Sequence, residues 1–151
     1  LRSDNDDLIK FVDEFRTSFK EMQIDDIAFP RGVNGMLKYK DDTTTYKKGT
    51  PIHVKGALFY NNLVKKHGLE LQFPFIKDGE KIKFCYLKEP NPIQNNTIAI
   101  AAGTLPEVFG LERFIDYDTQ FEKAFLEPIK TITDTIGWEL EKKITLDSFF
   151  N

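Results

Sequence analysis

The sequence predicts an α+β fold in which helices at both ends of the chain flank a small antiparallel sheet. Apolar residues recur at every third or fourth position over about residues 6–22 and again after Asp116, which is the spacing of amphipathic helices. Between them, the pair Asp78-Gly79 separates two short apolar stretches, a pattern typical of a β-hairpin. Helical segments at the two ends with strands between them indicate an α+β domain.

The first half of the chain is predicted to contain two helices joined by polar loops. Acidic residues within 4–7 suit the positive end of the first helix dipole. Residues 29–35, with two glycines and an asparagine, are expected to form a loop, and residues 36–50 are irregular and rich in lysine. Pro51 suits the first turn of a second helix, which we expect to continue to about His67 and to stop at the following glycine.

The second half is predicted to supply the sheet and the last helix. Alternation after the predicted turn puts Ile82, Phe84 and Tyr86 on one face of a strand and Lys81, Lys83 and Cys85 on the other. Residues 97–102 are expected to form another short strand. Asp116 or Asp118 should cap a long final helix, which Pro128 is expected to kink.

Composition excludes several classes of protein. The 151 residues are 40% apolar and include 14 phenylalanines, which is enough for the core of one domain. The single Cys85 excludes an intrachain disulfide framework, and one Cys with two His does not suit a structural zinc site. No apolar run approaches the roughly 20 residues that span a membrane, and residues 1–10 do not resemble a signal peptide. Because the sequence begins with Leu1, we expect it to be part of a longer protein.

The net charge of −3 conceals a separation of charge along the chain. Residues 1–26 carry 4 basic and 8 acidic groups, residues 27–103 carry 12 and 6, and residues 104–151 carry 5 and 10. A basic middle between acidic ends is what a phosphate-tracking surface on an acidic protein would produce. An ordinary lysine-rich, solvated surface gives the same counts, so charge alone leaves both interpretations open.

The end of the chain carries three large apolar side chains at helical spacing, namely Leu146, Phe149 and Phe150. Either they fold back onto their own domain or they bind a partner. Their spacing resembles the docking segments that bind ring-shaped sliding clamps, whose usual pattern is Gln-x-x-aliphatic-x-x-aromatic-aromatic. Lys143 stands in the glutamine position, so a clamp contact would rest mainly on the three apolar side chains.

The sequence supplies no catalytic constellation of its own. The triplet at 78–80 matches the Asp-x-Glu of metal-dependent proofreading exonucleases, but it lies in a predicted turn. The triplet at 116–118 is similar to the Asp-x-Asp of polymerases, but helix capping explains it. His53 lies at a helix start with no nearby carboxylate in the sequence, and we expect it to pack or to donate to a phosphate.

Four blocks of the sequence occur in the order found in one known family: residues 51–61 (PIHVKGALFYN), 79–82 (GEKI), 87–92 (LKEPNP) and 116–128. Together with the tail they resemble the C-terminal thumb domain of the T-even-like phage replicative DNA polymerases of family B. The resemblance covers about residues 8–151. It implies a polymerase thumb-like fold over residues 1–143 and a clamp-binding tail over residues 144–151, either as part of such a polymerase or as a separately encoded thumb subunit.

The resemblance also implies partners and a location. The partners are double-stranded primer–template DNA, a sliding clamp, and the palm, fingers and exonuclease domains of the polymerase. No cofactor is implied on this chain, since the Mg²⁺ of the parent polymerase would be bound on another domain, and the implied location is the host cytoplasm, with no membrane. Phosphate contacts hold a duplex without reading its sequence, as a copying enzyme requires. The implied DNA-binding residues are Lys47, Lys48, Lys55, Asn96, Lys123 and Lys130.

Three of the implied contacts have a plain structural alternative. The lysines at 47 and 48 could belong to a flexible, solvated loop. Lys123 could be a surface partner of Glu122 or Glu127, worth only a few tenths of a kcal/mol. Glu127 stands where the family can have a second lysine, and Lys130 could substitute for it. Asn96 occupies a phosphate-contacting position as a neutral hydrogen-bond donor.

Two other functions are compatible with the sequence. The first is a free-standing adapter that binds nucleic acid and a clamp without being part of a polymerase. The second is a small independent enzyme that uses His53. An upstream polymerase palm sequence would favour the thumb over the adapter, and an activity lost in His53→Ala would favour the enzyme.

Overall fold

The computed structural model describes residues 2–141. Its helices are α1 (Arg2–Phe19), α2 (Ile24–Ile27), α3 (Met36–Tyr39), α4 (Ile52–Lys66), α5 (Tyr117–Phe121) and α6 (Glu127–Thr135). Its strands are β1 (Phe29–Gly32), β2 (Lys40–Asp41), β3 (Thr45–Tyr46), β4 (Lys81–Tyr86) and β5 (Thr97–Ile100). Short 3-10 helices lie at Glu107–Phe109 and Glu112–Phe114, and a π-helical segment lies at Glu122–Leu126. The chain divides into two compact units, one containing Gln23–Gln120 and the other containing α1 and the residues from Phe121 onward.

The predicted α+β class is confirmed. Within Gln23–Gln120, three antiparallel strands form a sheet in the order β1-β4-β5, and β2 pairs with β3 in a separate ribbon. The predicted helix at 51–67 is confirmed as α4, and the predicted strand at 97–102 is confirmed as β5, which ends at Ile100.

The predicted hairpin around Asp78-Gly79 is wrong. The turn exists, since Gly79 has a φ of +87°, but the segment before it is not a strand of the sheet. Instead, the Asn61 side chain forms hydrogen bonds with both backbone polar groups of Ile76. The Ile76 N–H donates to Asn61 Oδ1 at 2.8 Å, and Asn61 Nδ2 donates to the Ile76 carbonyl at 2.9 Å. Because this amide satisfies the backbone of Ile76, the segment needs no strand partner.

On the side opposite β5, strand β4 pairs with β1, which lies in the stretch predicted to be a loop. Phe29 pairs with Phe84, and Arg31 pairs with Ile82. β1 contains a proline, and proline is tolerated where a strand has a neighbour on one side only. The order β1-β4-β5 gives β1 that edge position among the described strands.

Helix α4 packs against β5 through a glycine. A Cβ built on Gly56 would lie 3.0 Å from the Ala99 nitrogen and 3.1 Å from the Ile98 carbonyl carbon. Only a residue without a side chain permits so close an approach of a helix to a strand backbone. The position of α4, and of everything at its first turn, therefore depends on this contact.

The other face of the sheet is covered by α2. Lys83 Nζ forms an ion pair with Asp25 Oδ2 at 3.0 Å and donates to the Asp25 carbonyl at 3.0 Å. Cys85, which was predicted on the same face, is fully buried. Gln120 joins this layer to the sheet, because its Nε2 donates to the Ile27 carbonyl and its Oε1 accepts from the Tyr86 N–H, both at 2.8 Å.

The unit that contains α1 is built around stacked aromatic rings. Phe15 stacks on Phe125 with ring centroids 4.8 Å apart, and Phe19 meets Phe121 edge to face at 5.3 Å. The helix predicted over 6–22 begins earlier, at Arg2, and ends earlier, at Phe19.

The long final helix is confirmed as a continuous run of α5, the π-helical segment and α6. Asp116 caps it, since its carboxylate accepts from the Thr119 N–H at 3.0 Å and from the Thr119 hydroxyl at 2.7 Å. A wider π turn comes just before Pro128, where a kink was predicted, and the Glu127 N–H donates to the Glu122 carbonyl five residues back. A wider turn relieves the crowding that a proline ring imposes on the carbonyl four residues before it.

Candidate nucleic-acid interface

The connection from β3 to α4 presents two exposed lysines on an anchored backbone. The Lys47 N–H donates to the Tyr39 carbonyl at 2.8 Å, and the Lys47 carbonyl accepts from both the N–H and the hydroxyl of Thr50. The side chains of Lys47 and Lys48 are exposed. Gly49 has a φ of +86° and nothing within 4 Å of the position of a Cβ. A ligand could therefore approach this backbone closely between two cations.

Lys55 lies on the same side of α4 as this connection. Its Nζ is 4.7 Å from the centroid of the Tyr46 ring, at a distance where the ring attracts a cation. The Tyr46 ring in turn contacts Phe59, with centroids 5.8 Å apart. The structure thus brings together three of the predicted DNA-binding residues, Lys47, Lys48 and Lys55, at the start of α4.

The first turn of α4 adds backbone donors to these cations. No side chain caps the helix among the described residues, and the first i to i−4 bond runs from the Lys55 N–H to the Pro51 carbonyl. The N–H groups of the first turn therefore have no acceptor within the helix. Such N–H groups, together with the helix dipole, favour an anion.

Arg31, which no sequence pattern indicated as a site residue, also lies near the first turn of α4. It is exposed on β1, and its guanidinium carbon is 6.0 Å from the centroid of the Phe84 ring. The His53 ring lies 6.4 Å from the same centroid. Burial lowers the pKa of His53 below its usual value, and the nearby Arg31 lowers it further. Only the pairing of β1 with β4, which was not predicted, could have identified Arg31.

Lys123 and Lys130 belong to the other compact unit. Lys123 Nζ is 3.6 Å from Glu127 Oε1, so the predicted alternative of a surface ion pair with Glu127 is present. An exposed pair of this kind contributes little to stability and does not exclude a phosphate contact. Lys130 is exposed at the edge of a pocket of about 720 Å³, which is also lined by the acidic side chains of Glu122, Glu127, Asp134, Glu139 and Glu141.

Asn96 follows a turn that two other asparagines order. Asn91 Nδ2 donates to the carbonyls of Lys88 and Asn95, at 2.9 and 2.7 Å, and Asn95 Nδ2 donates to the Thr97 carbonyl at 2.8 Å. Asn96 Oδ1 is buried and has no hydrogen-bond partner among the described residues. Of the two polar atoms of the Asn96 amide, Nδ2 is the hydrogen-bond donor.

The predicted clamp-binding residues Leu146, Phe149 and Phe150 lie outside the described residues. The last part of the described chain is held against α1. Asn5 Nδ2 donates to the Glu139 carbonyl at 2.8 Å, and Arg16 pairs with Glu141 at 2.9 Å.

The described residues offer neither a metal site nor a membrane-spanning helix. Within residues 2–141, no group of three or more His, Cys, Asp or Glu side chains is arranged to hold a metal ion. None of the helices in this range has the length and apolar character needed to cross a bilayer.

Comparison with known proteins confirms the predicted resemblance: this chain is similar to part of the DNA-directed DNA polymerases of phages. It is 28% identical to the polymerase of Enterobacteria phage T4 over an alignment of 153 positions, which covers 99% of this chain and 16% of the relative. It is 29% identical to that of Escherichia phage RB69 over 138 residues, which cover 88% of this chain and 15% of the relative. The chain thus spans a small part of the length of these curated relatives. No protein-family model matches it.

Proposed function

We propose that this chain is the thumb, or a thumb subunit, of a DNA-directed DNA polymerase. In this proposal residues 1–143 hold the primer–template duplex by phosphate contacts, and residues 144–151 dock a sliding clamp for processive replication. The observation that carries the proposal is the similarity of 99% of the chain to part of a phage DNA polymerase. The comparisons do not favour the alternative of a free-standing adapter.

The start of α4 supports the phosphate-binding part of the proposal. Lys47, Lys48 and Lys55 supply positive charge, and the first turn of α4 supplies N–H donors. All of these groups recognise a phosphate by its charge and oxygens, with no reference to the base sequence. Asn96, Lys123 and Lys130 are proposed as further contacts with the duplex.

The tail supplies the second part of the mechanism. Leu146, Phe149 and Phe150 would insert into an apolar pocket on the clamp. Tethering to a clamp that encircles DNA turns each rebinding event into an intramolecular one, which raises processivity through effective concentration. The polymerase and exonuclease chemistry, with its Mg²⁺, would belong to the palm and exonuclease domains.

Duplex binding by the whole chain tests the phosphate contacts. The association constant for a labelled primer–template, measured by fluorescence anisotropy, should fall as salt concentration rises. The double variant Lys47→Gln/Lys48→Gln should bind more weakly and reduce the slope of log K against log salt by about 0.9 for each lost contact.

The matched control is Lys65→Gln/Lys66→Gln, which removes two exposed lysines from the other end of the same helix. It should leave the slope nearly unchanged. Binding that is indifferent to salt, or equal losses in both double variants, would contradict the proposed interface.

Clamp binding is tested separately. Phe149→Ala/Phe150→Ala should abolish binding to the sliding clamp of a T-even-like phage while leaving the melting temperature unchanged. If the variant instead melts at a much lower temperature, the tail is part of the core of this chain and the clamp-binding proposal is wrong.

A further inference from the structure

Arg31 and His53 share one aromatic ring. Both lie beside Phe84, whose side chain is only 2% exposed, at 6.0 Å for the guanidinium carbon and 6.4 Å for the imidazole centroid. Arg31 pairs with Ile82 and Phe29 pairs with Phe84, so these residues share one face of the sheet. His53 reaches the same ring from the first turn of α4. Two strands and one helix thus bring these two side chains to the same ring.

No carboxylate forms an ion pair with either member of this pair among the described residues. The ion pairs of residues 2–141 involve neither Arg31 nor His53. On β4, Lys81 and Lys83 pair with Gly32 and Pro30 and therefore lie on the opposite face of the sheet, where Asp25 compensates Lys83. On α4, Lys55 turns toward Tyr46. Among the described residues, the charge that acts on His53 is that of the Arg31 guanidinium.

Such a pair suits a phosphate more than a neutral ligand. An arginine supplies a charged donor whose geometry matches phosphate oxygens, and a histidine adds a second charged donor when it is protonated. In the free protein, burial and then Arg31 hold the pKa of His53 below its usual value, which favours the neutral ring. A phosphate between the two groups would favour the protonated ring and raise the pKa of His53.

We propose that Arg31 and His53 form an additional contact with a backbone phosphate of the duplex, in which His53 takes up a proton from the solvent on binding. Binding is then tighter at lower pH. The inference rests on the proposed function, because the phosphate belongs to the DNA that the lysines at the start of α4 hold. It adds two residues and a dependence on pH to that interface.

The test compares duplex binding at about pH 6 and about pH 8 at constant ionic strength, using the whole chain. For each unit by which bound phosphate raises the pKa of His53, affinity gains up to tenfold, so we expect the wild type to bind roughly three- to tenfold tighter at the lower pH. His53→Gln should remove most of this difference. His67→Gln, at the other end of α4, should retain it, and circular dichroism checks that both variants are folded.

A second readout follows the His53 ring itself by NMR. Its pKa should rise when duplex is added to the wild type. In the free protein, Arg31→Gln should raise the pKa of His53, because the neighbouring cation is lost, and should weaken duplex binding at both pH values.

The results separate the inference from the proposed function. If binding is sensitive to salt and to Lys47→Gln/Lys48→Gln, but His53→Gln keeps the pH dependence or duplex leaves the His53 pKa unchanged, the inference is wrong and the proposed function stands. If the wild type shows no salt-sensitive binding at either pH, both are wrong.

Discussion

Replacing Gly56 with alanine is expected to loosen the contact between α4 and β5. The new Cβ would lie 3.0 Å from the Ala99 nitrogen and 3.1 Å from the Ile98 carbonyl carbon. Both are backbone atoms of a paired strand, which cannot rotate away as a flexible side chain can. The helix must therefore shift outward, and its first turn with Lys55 must shift with it.

The magnitude follows from two opposing effects. Overpacking of a buried contact typically costs about 1–3 kcal/mol. Alanine is the better helix former, and replacing glycine within a helix gains about 1 kcal/mol. We expect Gly56→Ala to lower the free energy of unfolding by about 0–2 kcal/mol, and Gly56→Val to lower it further because valine is larger and β-branched. For a chain of this size each kcal/mol lowers the melting temperature by about 2–4 °C.

Urea unfolding followed by circular dichroism measures this change. The control is Lys65→Ala on the exposed side of the same helix, which should change stability by less than about 0.5 kcal/mol. A stabilisation of about 1 kcal/mol by Gly56→Ala would refute the reasoning, because it would equal the gain in helix propensity with no cost from close packing.

Three further predictions concern buried polar and titratable groups. Asn61→Ala should lower the unfolding free energy by about 2–4 kcal/mol in urea, since it leaves the N–H and carbonyl of Ile76 unpaired; a loss below about 0.5 kcal/mol would mean that water replaces the amide. Burial, followed by the nearby Asp25, raises the pKa of Cys85 to about 12. A thiol-reactive disulfide dye at about pH 8 should therefore label Cys85 only when the chain unfolds, and immediate labelling of the native chain would contradict this prediction. The folded chain holds the pKa of His53 below its unfolded value, so the unfolded state binds more protons. The free energy of unfolding should therefore fall as pH drops below about 6.5. His53→Gln should reduce this fall, and an unchanged pH profile in the variant would contradict the prediction.

The long helices were predictable because their signals are local, whereas the four-residue helices α2 and α3 were not predicted, and α3 lies in the stretch 36–50 that was expected to be irregular. The pattern from Pro51 to Gly68 contains its own start, apolar face and stop, and α4 follows it closely. The strands depended on partners distant in the sequence. Asp78-Gly79 has the chemistry of a hairpin turn, but whether the flanking segments pair depends on Asn61, fifteen residues before Ile76. No local pattern contains that information.

The candidate interface was predictable to a similar extent. The cluster of Lys47, Lys48 and Lys55 could be predicted because these residues are close in sequence and flank a helix start. Arg31 could not, because its neighbourhood with His53 exists only after β1 pairs with β4. The ion pair of Lys123 with Glu127 could also be predicted, because the two residues are four positions apart on a helix, and the pair is present.

The fold also changes how the charge pattern should be understood. The stretch 27–103 is strongly basic, but the compact unit Gln23–Gln120 contains 13 basic and 12 acidic residues, so its net charge is close to zero. At physiological ionic strength a charge acts over roughly 8 Å. Attraction of a polyanion to this unit would therefore depend on local groups of cations, and the proposed interface at the start of α4, with three lysines and Arg31, is one such group.

A patch of about four cations has a quantitative consequence for function. With a slope of about −0.9 per neutralised phosphate, four contacts lose roughly a hundredfold in affinity between about 50 and 200 mM salt. If this surface holds a duplex as proposed, its affinity therefore depends strongly on salt. In the proposed function, a tail that binds a clamp encircling the same DNA adds retention through effective concentration. The proposal thus assigns the salt-sensitive orientation of the duplex to the cations at the start of α4, and its retention on DNA to Leu146, Phe149 and Phe150.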